Sequence, residues 1–461
     1  MGRGDGEPLS NVDAAWLRME DRTNLMTITA VMSFHETLDF TVVKELIEDR
    51  LLPYDRFRQR VVEPILPFGK PRWEEDEHFN LRSHLQRFAL PAPGGQAELQ
   101  EMVSILMSTP LDQTKPLWQF QVIENYRGGS AIVARIHHCI ADGIALVRVL
   151  LGMTDDSPTG SPHVRRQRRQ RRPLGGGFWL PEVINDALHS VGRLTGSLID
   201  DGRLDTDRAG ELAREGARAA GVVSRLVTMS PDPPTVFRGP LGTTKRCAWS
   251  EIMPLDRVKA YGKRIGGTVN DVLLCGVCGA LRRYMLDRGG RVDAKDVRAV
   301  IPVNLRPDGP VVELGNRFGL VFLSLPVGIA DRGQRFAELK RRMDDLKQSS
   351  EAVVAYGLLN AIGMASAEIE SLAVQLFGSK ATAVMTNVPG PREELYLAGK
   401  AIRSMMFWVP QSARLGLGVS ILSYAGQVRL GVASDAGLVP DPAAVVRSFQ
   451  DEMRAMIADV D

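Results

Sequence analysis

Between Asp155 and Gly177 the sequence changes character: Pro, Gly and Ser flank the run RRQRRQRR from Arg165 to Arg172, which packs six positive charges into eight residues. A stretch of this composition is expected to be a solvated connector, outside any core. The chain has 461 residues, more than one hydrophobic core usually supports, so two lobes are the expectation. The division falls at the connector. Residues 1–155 form an N-terminal lobe, 156–240 hold the basic linker with two helical patterns that would brace the lobes, and 241–461 form a C-terminal lobe.

Each lobe mixes strand and helix patterns. In the first, apolar residues recur at helical spacing from Asp39 to Leu52, where Pro53 stops them, and again from Gln96 to Met107. Two apolar runs, Trp118 to Ile123 and Ala131 to Ile136, are separated by Arg127, Gly128 and Gly129 and predict a β-hairpin. Helical patterns follow at Pro181 to Asp200 and Arg208 to Met229. Beyond Pro234 the strands Val297 to Val303, Phe318 to Val327, Ala383 to Asn387, Gly416 to Tyr424 and Gln427 to Ala433 alternate with helices. The fold class is α/β in both halves.

The second hairpin strand runs straight into His137 and His138, and a helical pattern starts near Asp142 and continues through Leu151. The stretch ARIHHCIADGIALVRVLL therefore places HHxxxDG at a strand-to-helix junction. A histidine at the end of a strand, facing the N-terminus of the next helix, is disfavoured as imidazolium and stays neutral. That is the form a general base requires. Asp142 can cap the helix or hold the loop in shape, and Gly143 lets the backbone pass closely or a substrate approach.

HHxxxDG resembles the signature of the chloramphenicol-acetyltransferase-like superfamily, and the other motifs choose within it. Pro110, Leu111, Pro116, Leu117 and Trp118 form PLxxxxPLW. Asn270 and Asp271 form an ND pair in GGTVNDVLL. PVNLR spans Pro302 to Arg306, GNRFG spans Gly315 to Gly319, and TNVPGP spans Thr386 to Pro391. In order and spacing these are similar to the bacterial wax ester synthase/diacylglycerol acyltransferase family from Leu9 to near the C-terminus. The resemblance implies two chloramphenicol-acetyltransferase-like lobes with a substrate tunnel between them. It also implies that His138 is the base that deprotonates an acceptor alcohol, with His137, Asp142 and Gly143 supporting it. No cofactor is implied, and acyl-CoA is the expected co-substrate. The acceptor would be a long-chain alcohol or diacylglycerol, and the products wax esters or triacylglycerol. Asn270, with Asp271, is assigned to the substrate side as the best oxyanion donor, although Thr268 and Asn270 are also good helix N-caps. PLW and NVPGP read mainly as packing and turn chemistry. The alternatives are a condensation-type enzyme using carrier-bound acyl groups, against which the PLW, PVNLR and TNVPGP set argues, and a non-catalytic lipid-binding scaffold, against which an intact HHxxxDG argues.

Composition narrows the partners. With 57 basic and 55 acidic residues the net charge is +2, too small a field to imply nucleic acid. Four cysteines suit a reducing cytoplasm. Cys139, beside His138 on extended chain, points away from it and is not the expected nucleophile. Cys275 and Cys278 lack a second ligand pair for zinc, so no metal is expected. The first residues lack the apolar core of a signal peptide, and Gly6 stands where a myristoylation signal needs Ser or Thr. No apolar run approaches the roughly 20 residues that span a bilayer. Contact with a membrane or lipid droplet would be peripheral, with the arginine run as its electrostatic candidate.

Overall fold

A strand that is buried along its whole length needs cover on both faces. Gly129–His137 is such a strand, with all nine residues buried, and the fold is arranged around it. The computed structural model describes residues 6–64, 69–159, 228–293, 295–305, 318–349, 374–411 and 415–458, with a few positions between them such as Asn316 and 354–357. The arginine run and the helical pattern at 181–200 lie outside the described residues, as does nearly all of the pattern at 208–229.

In chain order the first elements are β1 (Glu7–Pro8), α1 (Asn11–Arg18), β2 (Thr27–Phe34), α2 (Phe40–Arg50), β3 (Gln59–Val62), β4 (Arg72–Glu75) and β5 (Leu85–Ala89). They are followed by α3 (Gln96–Ser108), β6 (Trp118–Tyr126), β7 (Gly129–His137) and α4 (Gly143–Gly152). After the connector come β8 (Lys245–Trp249), β9 (Met253–Pro254), α5 (Leu255–Arg264), α6 (Val269–Asp287), β10 (Val297–Asn304), β11 (Phe318–Leu325) and α7 (Arg332–Lys347). The last are β12 (Ala383–Pro389), β13 (Tyr396–Leu397), β14 (Lys400–Trp408), β15 (Leu417–Tyr424), β16 (Gln427–Asp435) and α8 (Pro442–Ala458).

The hairpin read from the sequence is β6 and β7, antiparallel, with Phe120 opposite Ala134. Its turn sets Arg127 and Gly128 at positive φ, the conformation a two-residue hairpin turn demands. β5 pairs parallel with β6, and β2 pairs with the other edge of β7. The sheet order is β13-β14-β2-β7-β6-β5. A second sheet, β11-β10-β12-β15-β16-β8, forms the other lobe, and a small sheet, β1-β4-β3, flanks the first.

The sheets do not divide where the sequence does. β14 belongs to the C-terminal third yet pairs with β2, Trp408 opposite Thr29 and Phe407 opposite Ala30. Leu395, Leu397, Ile402 and Phe407 accordingly bury in the core of the first lobe beside Ile28, Phe34, Trp118 and Ile136. Segment 241–461 is therefore not a self-contained lobe; it lends a strand to its neighbour. The second core gathers α6, β10, β12, β15, β16 and α8 around Val277, Leu281, Ile301, Met385, Leu430 and Phe449. A third cluster joins the lobes, where Leu99 and Val103 of α3 and Val31, Val133 and Trp408 of the first sheet meet Cys247 and Trp249 of β8 and Ala433 of β16.

Several elements of the N-terminal part were not anticipated, among them α1 and β2. α1 is only eight residues long, started by the Ser10 side chain accepting the Asp13 N–H at 3.1 Å. β2, buried along almost its whole length, lacks the alternation that marks a half-exposed strand.

Candidate active site

β7 delivers the paired histidines to a loop held from three directions. The His137 N–H donates to the Leu117 carbonyl at 2.9 Å, and the His138 N–H to the Met26 carbonyl at 2.7 Å. Leu117 belongs to the PLW motif, whose Trp118 is fully buried. Its indole Nε1–H donates to the Phe57 carbonyl at 2.9 Å, and its ring stacks on His84 with centroids 4.7 Å apart. PLW thus acts through packing, fixing the strand edge against which His137 is aligned. The third hold comes from the other lobe. Asn316, in GNRFG just before β11, donates through Nδ2 to the His138 carbonyl at 2.8 Å and to Asp13 Oδ1 at 2.7 Å. Its own N–H also reaches Asp13 Oδ1 at 3.2 Å.

The His138 ring lies in an aromatic cage. Trp16 of α1 stacks on it at 4.2 Å between centroids and 22° between planes, and Phe318 of β11 tilts against it at 5.5 Å. All three rings are buried. Burial is the first cause pushing the imidazole down to about 4; the Asp142 charge opposes it and His137 adds to it. His138 is therefore neutral at physiological pH, as expected, but because of desolvation first. Its Nδ1 is buried without a hydrogen-bond partner among the described residues.

His137 is also buried and does not share the cage. Its Nδ1 accepts the Cys139 N–H at 3.1 Å, and its Nε2 lies 2.9 Å from Glu20 Oε2. Burial would raise the Glu20 carboxyl, but His137, the Met26 N–H and Gln113 together hold it below its ordinary value. Asp13 goes the other way: burial raises it more than the bonds from Ser10 and Asn316 lower it.

Asp142 is the N-cap of α4, its Oδ1 accepting the Ala145 N–H at 2.8 Å. Gly143 opens that helix. A Cβ placed there meets nothing among the described residues within 4 Å, so the space beside it is open. Asn270 and Asp271, paired in the motif, separate in role. Thr268 is the N-cap of α6, and Asp271 closes its capping box, Oδ2 accepting the Thr268 N–H and hydroxyl at 2.8 Å each. Asp271 is fully buried, with Oδ2 engaged in starting the helix and Oδ1 without a hydrogen-bond partner among the described residues. Asn270 is not a cap. Its Oδ1 accepts from Asn387 Nδ2 at 2.7 Å, so the ND and TNVPGP motifs meet there. No hydrogen bond joins Asn270 to His138 among the described residues. Burial pushes the Cys139 thiol far up, and it is no nucleophile. Cys275 and Cys278 are likewise buried, with raised thiols.

Trp16, Asp13 and Glu20 escaped sequence reasoning. Their signal was weak but present: a buried acid and a tryptophan on a short helix capped by Ser10, directly before an apolar strand.

A neutral, caged histidine at a strand-to-helix junction, pinned by a neighbouring lobe, is the centre of the candidate site. Residues 9–273 match the wax ester synthase/diacylglycerol acyltransferase catalytic domain, and residues 314–457 match the WS/DGAT C-terminal domain. The chain belongs to the wax ester synthase/diacylglycerol acyltransferase family. A Mycobacterium tuberculosis protein named as a probable diacylglycerol O-acyltransferase is 28% identical over 462 residues, covering 98% of this chain and 96% of its own. Among solved structures, the wax ester synthase/diacylglycerol acyltransferase from Marinobacter aquaeolei superposes with a TM-score of 0.69 at 22% identity, over 98% of this chain and 99% of that one. The first condensation domain of the calcium-dependent antibiotic synthetase gives 0.60 at 14% identity, over 100% and 97%. Both structural likenesses are likenesses of fold.

Proposed function

We propose that the protein is an acyl-CoA-dependent O-acyltransferase that esterifies long-chain alcohols or diacylglycerol to give wax esters or triacylglycerol, with His138 as general base. The observation that carries this is the state of His138: buried, neutral, caged by Trp16 and Phe318, and held at its backbone N–H by Met26 and at its carbonyl by Asn316. An alcohol attacks a thioester only as its proton leaves, and a neutral imidazole can take it. With Nδ1 shut in protein, Nε2 is the atom that receives it. The alcohol oxygen bonds to the acyl carbon, the carbonyl oxygen becomes an oxyanion, and the C–S bond then breaks. The proton on Nε2 passes to the departing thiolate, so acid and base are restored within one turnover.

The oxyanion needs a donor with its hydrogens already aimed. Because Asn387 occupies Asn270 Oδ1, the Asn270 amide is oriented with Nδ2 as its remaining polar end, which supports it as that donor. No covalent acyl-enzyme is required, since the nearest thiol, Cys139, is buried and protonated. The substrates are amphipathic. Among the described residues no helix is long and apolar enough to cross a membrane, and peripheral attachment to a membrane or lipid droplet through the connector completes the proposal.

The test is direct. Purified protein is given palmitoyl-CoA with hexadecanol or diolein, thiol release is followed, and products are separated by thin-layer chromatography. Ester formation with stoichiometric thiol release is expected. Transfer only from a carrier-bound acyl group to an amine would establish the condensation alternative, and lipid binding with no release would establish the scaffold.

A further inference from the structure

One carboxylate that the chemistry above does not use stands directly behind His138. Glu20 lies in the segment between α1 and β2, with 11% of its side chain exposed. Its Oε2 accepts the Met26 N–H at 3.1 Å and lies 2.9 Å from His137 Nε2, while Oε1 accepts from Gln113 at 3.2 Å. Each of the first two contacts leads on to the base. Met26, held through its N–H, presents its carbonyl to the His138 N–H at 2.7 Å. His137, whose Nε2 lies against the Glu20 carboxylate, presents Nδ1 to the Cys139 N–H at 3.1 Å.

That second link works in only one tautomer. Nδ1 can accept from Cys139 only if the proton sits on Nε2, and a carboxylate facing Nε2 selects that form. A neutral or absent partner would leave the two tautomers close in energy, and the Nδ1–H form would set a donor against the Cys139 N–H.

We propose that Glu20 is a positioning residue for the transfer reaction, acting through Met26 and His137 to fix the backbone on both sides of His138. One carboxylate thereby sets the place and angle of a ring it does not touch. The role depends on the assignment of His138 as base. Asp142 works on the other flank, capping α4, so the catalytic loop is gripped by one acid at each end.

The cost of losing this grip is geometric. Misplacing a reacting group by about 1 Å can cost roughly 100-fold in rate while leaving substrate contacts intact. With the full chain, palmitoyl-CoA and hexadecanol, Glu20→Ala is expected to lower kcat by about 10- to 100-fold with little change in KM. Glu20→Gln should recover only part of that loss, because an amide oxygen can still accept the Met26 N–H but carries no charge to select the His137 tautomer. Since Glu20 and His137 act as a unit, the Glu20→Ala/His137→Ala double variant should cost no more than the worse single one. In the parent protein, ¹⁵N spectra of labelled histidine should show His137 as the Nε2–H tautomer, a result that needs no variant to fold. A folded Glu20→Ala with parental kcat, multiplying single-variant losses, or His137 protonated at Nδ1 would each overturn the proposal. If His138→Ala keeps its rate, the assignment of the base fails instead, and the tautomer measurement still decides the Glu20–His137 contact by itself.

Discussion

His138 differs from an ordinary histidine in surroundings, and those surroundings predict its behaviour. His138→Ala should lose about 100- to 10,000-fold in kcat while keeping its fold, whereas Cys139→Ala should be nearly neutral. Acyl release from the protein by hydroxylamine would contradict direct attack. The pH dependence follows from the imidazole being pushed down to about 4 from 6.5. His138 is neutral wherever the pH exceeds that value, so with His138 as the proposed base kcat/KM should be flat from pH 6 to 8 and fall only as the pH drops toward 4. Stability carries the same signature. Between 6.5 and 4 the unfolded chain binds a proton at this site that the folded chain does not, so the contribution is full above 6.5 and lost as pH falls. At about 1.4 kcal/mol per unit the loss is about 3 kcal/mol. His138→Gln should flatten that part of a stability profile measured by chemical denaturation from pH 7 to 4. A profile unchanged by the substitution would mean the ring is far less buried than the cage implies.

Two helix starts carry the next scale, and both rest on a short polar residue answering backbone N–H groups that have no partner within the helix. Asp142 does this for α4 and Asp271, with Thr268, for α6. Asp142→Ala should cost about 1 kcal/mol of stability, with Asp142→Asn milder because an amide oxygen also caps. Asp271→Ala should lower the thermal midpoint and leave KM for both substrates unchanged, whereas Asn270→Ala should lower kcat with the midpoint nearly intact. The opposite pattern, a kinetic defect at Asp271 without loss of stability, would return Asp271 to the substrate side. The ND pair could be found in the sequence because both residue types suit a helix start. Which of the two faces inward was not legible there, since it depends on the phase of α6 against the core formed by α7 and α8.

Across the whole molecule the site exists only where the lobes meet. Asn316 bridges a carboxylate of α1 and the carbonyl of His138, partners 303 and 178 residues distant along the chain. Asn316→Ala leaves both oxygens short of a donor in a buried place, which costs about 1–3 kcal/mol. Activity should fall further than stability, because the same bond locates the base. Equal rates for variant and parent at 25 °C would show the bridge to be structural only. The arginine run at 165–172, outside the described residues, makes a separate prediction for a substrate that lives in membranes. Replacing its six arginines by glutamine should weaken sedimentation with anionic vesicles at low salt, with 0.1 M salt narrowing the difference as charges are screened beyond about 10 Å. Short soluble alcohols should remain equally good acceptors. Equal vesicle binding by the two proteins would reduce the run to a solvated linker.

What the sequence determined by itself is local. The change of apolar period from two to near four at His138, the cap at Asp142, the hairpin turn at Arg127 and Gly128, and the buried strands of the second sheet all follow from side-chain spacing and backbone preference within about twenty residues. They place the motif on its elements and, with the motif order, mark the family. Tertiary structure decided which strand joins which sheet and what surrounds the base. β14 is apolar enough to pair with any buried edge, and only shape against β2 and the first core sends it across the molecule. Trp16 and Asn316 reach His138 directly, and Asp13 and Glu20 through its neighbours, from segments far away in sequence, where the signal of their purpose is weak. A periodic pattern tells a residue to face inward; the partner it meets there is chosen by how distant surfaces fit, and in this protein that choice keeps His138 neutral and holds it in place.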